Sequence, residues 1–176
     1  MVEYIDFVGI SKNTPLAHIM GLGKKCVKCN NCCNYGSGFL LKEDIKNMAG
    51  FLKITEEELK QKFLEEGERF NTRLMRPKSV KQGKPYGICI FFNTKKGCTI
   101  HPVKPTECRI STCDQSGEAI SLWFALNYLV NQNDAESIRQ YASFLKTHKT
   151  LPGGSLEEIV PDKERLKGIL SYQVIK

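Results

Sequence analysis

The sequence predicts an α+β fold: a small cysteine-rich metal-binding domain with a β-hairpin, two central helices and a helical C-terminal section. Three observations carry that expectation. Eight cysteines fall into two groups, Cys26, Cys29, Cys32 and Cys33, then Cys89, Cys98, Cys108 and Cys113, and none follows. Between the groups lie two stretches of helical period, and after Cys113 that period resumes and continues to the end. An apolar run ending at Phe92 is joined to Cys98-Thr99-Ile100 by Asn93-Thr94-Lys95-Lys96-Gly97, the composition of a hairpin turn.

The elements follow in chain order. Residues 1–20 alternate loosely (Val2, Tyr4, then Ile5, Phe7, Val8, Ile10), which predicts a strand before a turn at Gly21-Leu22-Gly23. The first cysteine group, with polar spacers, reads as a loop. Phe39-Leu40-Leu41 reads as a short buried strand, and Lys42 to Leu52 as a helix with Ile45, Met48, Ala49 and Leu52 on one face. Thr55-Glu56-Glu57-Glu58 is a capping-box pattern, predicting a helix to about Glu66 that Gly67 stops. Residues 69–85 show no helical period and read as extended or looped. Tyr86 to Phe92 reads as one strand, and Pro105 opens a short helical turn carrying Cys108.

Beyond Cys113, Glu118 to Val130 predicts a mostly buried helix that is apolar nearly all round, leaving part of it as a face for a partner. Asn133-Asp134-Ala135-Glu136 caps a second helix, Pro152-Gly153-Gly154 reads as a linker, and Pro161 to Leu170 as a last amphipathic helix. The expected division is 1–115, the metal-binding domain, and 116–176, a helical section packed on it as a single structural unit.

Composition narrows the function classes. Of 176 residues, 41% are hydrophobic and 26% charged, a globular composition with enough chain to bury a core. The longest apolar stretch, Ala119 to Val130, contains Ser121 and Asn127 and falls short of the roughly 18 residues that span a bilayer. No membrane insertion is expected. The N-terminus carries Glu3 and Asp6 where a secretory signal carries basic residues, so a cytoplasmic location is expected. In that reducing compartment, eight cysteines among 176 residues, below the roughly 8–10% of disulfide scaffolds, read as metal ligands.

Metal binding needs thiolates that converge, and Cys-x-x-Cys is the shortest spacing that brings two together without strain. Cys26, Cys29 and Cys32 offer three such ligands in seven residues, but the ferredoxin-type run fails at its fourth member, where Gly36 stands. Adjacent side chains tend to point apart, so Cys32 and Cys33 are expected to face different surroundings. Completion must come from Cys89, Cys98, Cys108 and Cys113. The set suits an iron–sulfur cluster, with a four-iron, four-sulfur cubane the leading form, or Zn²⁺ as the alternative, in one centre or two.

Charge agrees with an anionic centre. No acid lies between Asp6 and Glu43, where Lys25 and Lys28 flank the first cysteines, and none between Glu68 and Glu107, where nine Lys and Arg residues gather. Nearby cations stabilise thiolates. Lys25, Lys28 and Arg109, next to Cys108, are the candidate cofactor-contacting cations, and His101 is a weaker candidate ligand. The aromatics of the basic run, Phe70, Tyr86, Phe91 and Phe92, read as core or strand residues, so nucleic-acid binding is not expected. A protein partner is.

Together, Cys26-x2-Cys29-x2-Cys32-Cys33, Gly87-Ile88-Cys89-Ile90-Phe91-Phe92, Gly97-Cys98-Thr99-Ile100-His101 and Pro105-Thr106-Glu107-Cys108-Arg109 with Cys113 resemble the CxxCxxCC family of zinc- or iron-chelating domains over about residues 24–115. Lys104 stands where that family usually has Arg, which keeps the charge and loses the guanidinium fork. The resemblance implies a metal centre, iron–sulfur or zinc, and some relatives resemble flagellin lysine methylases. This chain has no glycine-rich nucleotide loop, since Gly21-x-Gly23 lacks a third glycine, and no paired carboxylates or nucleophile–base pair names a reaction. The functional expectation is therefore an iron–sulfur protein of electron transfer or maturation within a larger complex. The alternatives are a structural zinc module for protein or nucleic-acid contacts, or a metal-dependent protein-modifying enzyme with an open coordination position.

Overall fold

A computed structural model describes residues 3–5, 9–24, 30–81 and 83–172. The fold is α+β, with helices and three two-stranded sheets. The chain forms two compact units. A helical unit takes residues 1–22, 68–73 and 112–176, and a cysteine unit takes residues 23–67 and 74–111.

In the helical unit, α1 (Leu16–Gly23) starts after Pro15, whose carbonyl accepts from the His18 and Ile19 amides at 3.0 and 3.2 Å. The expected strand in residues 1–20 reduces to a single bridge, Tyr4 to Thr150, and part of that stretch lies outside the described residues. Gly21 to Gly23 closes the helix rather than forming a turn. Helix α6 (Gly117–Tyr128) buries every residue from Leu122 to Leu126. Its apolar girth is thus covered by the chain itself, and the expected partner face on it is absent. Trp123 Nε1 donates to the Thr14 carbonyl at 2.9 Å, and Asn127 Nδ2 to that of Lys12 at 3.0 Å. Helix α7 (Ala135–Phe144) is capped by Asp134, whose carboxylate accepts the Glu136 amide at 3.0 Å. Pro152 to Gly154 is a turn held between buried residues rather than a linker: Leu151 is fully enclosed, and the Gly154 carbonyl accepts from Tyr141. Helix α8 (Leu156–Ile159), unexpected from the sequence, follows at once, and α9 (Lys163–Leu170) ends the section.

In the cysteine unit, α2 (Asn31–Tyr35) carries Cys32 and Cys33, so this pair sits on a short helix rather than in a loop. Phe39 and Leu40 are buried and Leu41 half-buried, but the segment forms no strand, and the Leu40 amide reaches the Met75 carbonyl at 2.8 Å. Helix α3 (Lys42–Leu52) has the expected bounds, with Met48 and Ala49 inward. Helix α4 (Glu56–Phe63) is capped by Thr55 Oγ1, which accepts the Glu58 amide at 3.1 Å, while the Glu58 carboxylate pairs with Lys62 instead of returning to the cap. The helix stops at Phe63, three residues early. Leu64 turns extended and buries itself, opening β1 (Leu64–Arg69). Gly67 therefore lies within a strand, where a Cβ would meet the Phe39 ring at 2.7 Å.

Strand β1 pairs with β2 (Thr72–Pro77) through Phe70 and Asn71, both at positive φ (50° and 55°) as a two-residue type I′ turn demands. The expected single strand 86–92 is divided. β4 (Ile88–Cys89) pairs antiparallel with β3 (Ser79–Val80), and β5 (Phe92–Asn93) with β6 (Gly97–Cys98) in the expected hairpin. A 3-10 turn at His101–Val103 leads to α5 (Thr106–Ile110). Leu40, Met48, Ala49, Leu59, Leu64, Phe91 and Ile100 form the core, against which Cys89 and Cys98 pack.

Candidate metal centre

Five cysteines of the cysteine unit are described, and each is placed by a local device. Cys32 and Cys33 are adjacent on α2, and each is the largest influence on the other's thiol. Cys89 and Cys98 each end a strand just before a buried anchor, Phe91 and Ile100. The amide two residues on, that of Phe91 for Cys89 and of Ile100 for Cys98, is directed at the sulfur. Thr99 ties the two turns together, its amide and hydroxyl both donating to the Phe91 carbonyl at 2.8 and 2.9 Å. Cys108 lies on α5, and the Gly38 amide points at its sulfur. A Cβ at Gly38 would sit 2.7 Å from that sulfur, so only glycine permits the approach.

These thiols act on one another electrostatically, and Cys32 is the hub. Its thiol is drawn down to about 6 by the Cys33 hydrogen bond, against the opposing effect of burial and with help from the Lys104 ammonium. The bond to Cys32 in turn pushes Cys33 up, with burial and the charges of Cys98 and Cys108 adding to it. Burial is the main cause raising Cys89 and Cys98, and it pushes Cys108 up to about 12. The negative charge of Cys32 raises each of these three further. The amides of Phe91, Ile100 and Gly38 pull the other way, and Lys104 acts on Cys98 as well as Cys32. Such a set resists carrying several negative charges unless a cation shares them, the condition a thiolate metal site satisfies.

The other predicted site residues are dispersed. Cys26, Cys29, Lys25 and Lys28 lie outside the described residues. Cys113 belongs to the helical unit and is exposed. The Arg109 guanidinium binds Asp44 Oδ1 at 2.8 Å and Thr106 Oγ1 at 2.8 Å. His101 is exposed on the 3-10 turn. Among the described residues, no three Cys, His, Asp or Glu side chains converge closely enough to hold a metal ion. A donor set of soft thiols with opposing amide and ammonium groups fits zinc or iron with sulfide.

Three site features escape sequence reading. Gly38 is one of 14 glycines, and nothing local marks its approach to Cys108. Asp44 reads as an ordinary first-turn acid of α3, yet it is 2% exposed. Tyr86, expected as core or strand, is 43% exposed with its ring centroid 5.4 Å from that of Tyr35.

A family model described as "Putative zinc- or iron-chelating domain", named CxxCxxCC, matches residues 25–143. The chain belongs to the CxxCxxCC family. The match spans more than half of the chain and takes in all eight cysteines. No curated protein and no solved structure matches it. Family membership supports metal binding by this CxxCxxCC chain in general, with zinc and iron both within the family's description.

Proposed function

We propose that the protein binds an iron–sulfur cluster, in the four-iron, four-sulfur form, and serves in electron transfer or in protein or cofactor maturation, docked on a partner protein in the cytoplasm. The observation that carries this reading is the gathering of five thiols in the cysteine unit, with the charge of Cys32 bearing on each of the other four. A structural zinc site and a four-iron cluster each take four ligands; structural zinc sites commonly include His, whereas a cluster is held by thiolates, the donor type gathered here. When bound, a cluster supplies one-electron chemistry. The chain's own contribution is to hold thiolates in place, to aim the amides of Phe91, Ile100 and Gly38 at the sulfurs of Cys89, Cys98 and Cys108, and to bring the Lys104 charge to bear on Cys32 and Cys98. Hydrogen bonds and cations around cluster sulfurs raise the reduction potential. The thiols need a reducing compartment, which is the basis for the cytoplasmic placement.

A second reading, a structural zinc module, is favoured by one observation: Cys89 and Cys98 sit in short turns whose amides face the sulfur, an arrangement equally suited to a closed zinc site. Iron, zinc and acid-labile sulfide, measured with an absorption spectrum on protein purified without oxygen, separate the two. Iron with matching sulfide and a brown colour is the expected result. Colourless protein with about one zinc per four thiolates would replace it with the zinc module.

A further inference from the structure

Asp44 is the most completely bonded carboxylate of the cysteine unit; its bond from the Leu41 amide caps α3, and its other partners, Thr106 and Arg109, lie on α5. It is 2% exposed, and four donors converge on it. The Leu41 and Thr106 amides reach Oδ2 at 2.9 and 2.8 Å, and Thr106 Oγ1 and Arg109 Nη2 reach Oδ1 at 2.8 Å each. Arg109 Nη2 also donates to Thr106 Oγ1 at 2.8 Å. Three of these bonds come from the two residues that bracket Glu107 and Cys108. A parallel tie is made by Glu107, whose Oε2 accepts the Phe39 amide at 2.6 Å, beside the Gly38 amide aimed at the Cys108 sulfur. Helix α5 has only five residues and could not hold a side chain in register by itself. Helix α3, rooted in the core by Met48 and Ala49, can.

We propose that Asp44 is a positioning residue of the metal centre: by clamping Thr106 and Arg109, it presents the Cys108 sulfur to the other thiols. Asp44 would not touch the metal. The inference rests on the metal-centre reading above, and it gives Arg109 a role in the clamp. Groups behind metal ligands commonly change affinity by about 10–100-fold when removed.

Cobalt(II) is the probe, because its thiolate charge-transfer absorbance scales with the number of thiolates bound. Apo wild type, Asp44→Asn, Thr106→Val and, as a control in the helical unit, Tyr141→Phe are titrated with Co(II) against a competing chelator. The expected result is a loss of about 10–100-fold in Co(II) affinity in Asp44→Asn, with lower charge-transfer absorbance per cobalt, and a smaller loss of the same kind in Thr106→Val. Tyr141→Phe is expected to lower stability while keeping the wild-type spectrum. If Asp44→Asn does not fold, Thr106→Val decides by the same criteria. Wild-type affinity and spectrum in the folded clamp variants would overturn the positioning role and leave the metal centre standing. A wild type that takes up no cobalt would refute the metal centre itself.

Discussion

Tyr141 is fully buried, and its hydroxyl donates to the Gly154 carbonyl at 2.8 Å and lies 2.6 Å from Thr150 Oγ1. Removing the hydroxyl deletes two buried bonds and leaves only the Thr150 Oγ1 bond to the Gly154 carbonyl at 3.1 Å, so Tyr141→Phe is expected to cost about 0.5–1.5 kcal/mol in urea unfolding. Burial pushes the phenol up to about 12 from its ordinary 10. The sign follows: the unfolded chain ionises first, so this stabilisation is complete below pH 10 and is lost as pH rises from 10 to 12. The wild type should therefore lose more stability than Tyr141→Phe across that interval, measured as melting temperature against pH. A parallel loss in both would remove Tyr141 as a cause. In the cysteine unit the comparable single-residue test is Cys29→Ala. Metal per chain and metal-dependent melting temperature should both fall, and unchanged values would take Cys29 out of the ligand set.

The helices are where local chemistry speaks most directly. Ser155 and Glu158 form a reciprocal cap on α8, with the Ser155 amide and hydroxyl donating to Glu158 Oε2 at 2.9 and 2.8 Å. Those two donors hold the Glu158 carboxyl below its ordinary range. Stabilisation from the cap is thus present at neutral pH and fades as pH falls through that lowered value. Ser155→Ala is expected to cost about 1 kcal/mol by thermal unfolding at neutral pH, and less in acid; an equal cost at both would refute the carboxylate's part. Helix starts at Thr55 and Asp134 and the bounds of α3 were readable from sequence, because a cap and an apolar stripe are contained within about a dozen residues. The β1–β2 hairpin was not. Its turn is Phe70-Asn71, without glycine, and Phe70 takes its positive φ while its ring meets those of Tyr141 and Phe144 edge-on at 5.5 and 5.6 Å. Packing by residues some 70 positions away settles that turn, and no local window contains them.

At the scale of the whole chain, charge is unevenly divided. The cysteine unit carries 16 of the 26 Lys and Arg residues but 8 of the 19 acids. Several thiolates would offset part of that excess, so metal removal should loosen this unit first. With a chelator, amide exchange is expected to quicken in α2, β4 and α5 while α6 and α7 keep their protection. Uniform loss across both sets would show that the metal stabilises the chain as one cooperative block. Excess positive charge also raises the question of polyanions. Affinity for single-stranded RNA is expected to be weak with a shallow salt dependence, and a steep fall between 50 and 200 mM salt would make nucleic acid a partner.

Metal chelation, the two cysteine groups, the Cys98 hairpin and the Pro105 turn that carries Cys108 were all determined by the sequence itself. Each depends on residue identity and short spacing, which a linear reading contains. Tertiary structure alone decided that Cys32 is the electrostatic hub, that Gly38 faces Cys108, and that Asp44 takes donors from Leu41, Thr106 and Arg109. It also decided that residues 1–22 cluster with residues 112–176. These are encounters between segments far apart in the chain. Their energies come from burial and desolvation, which exist only once the segments have met.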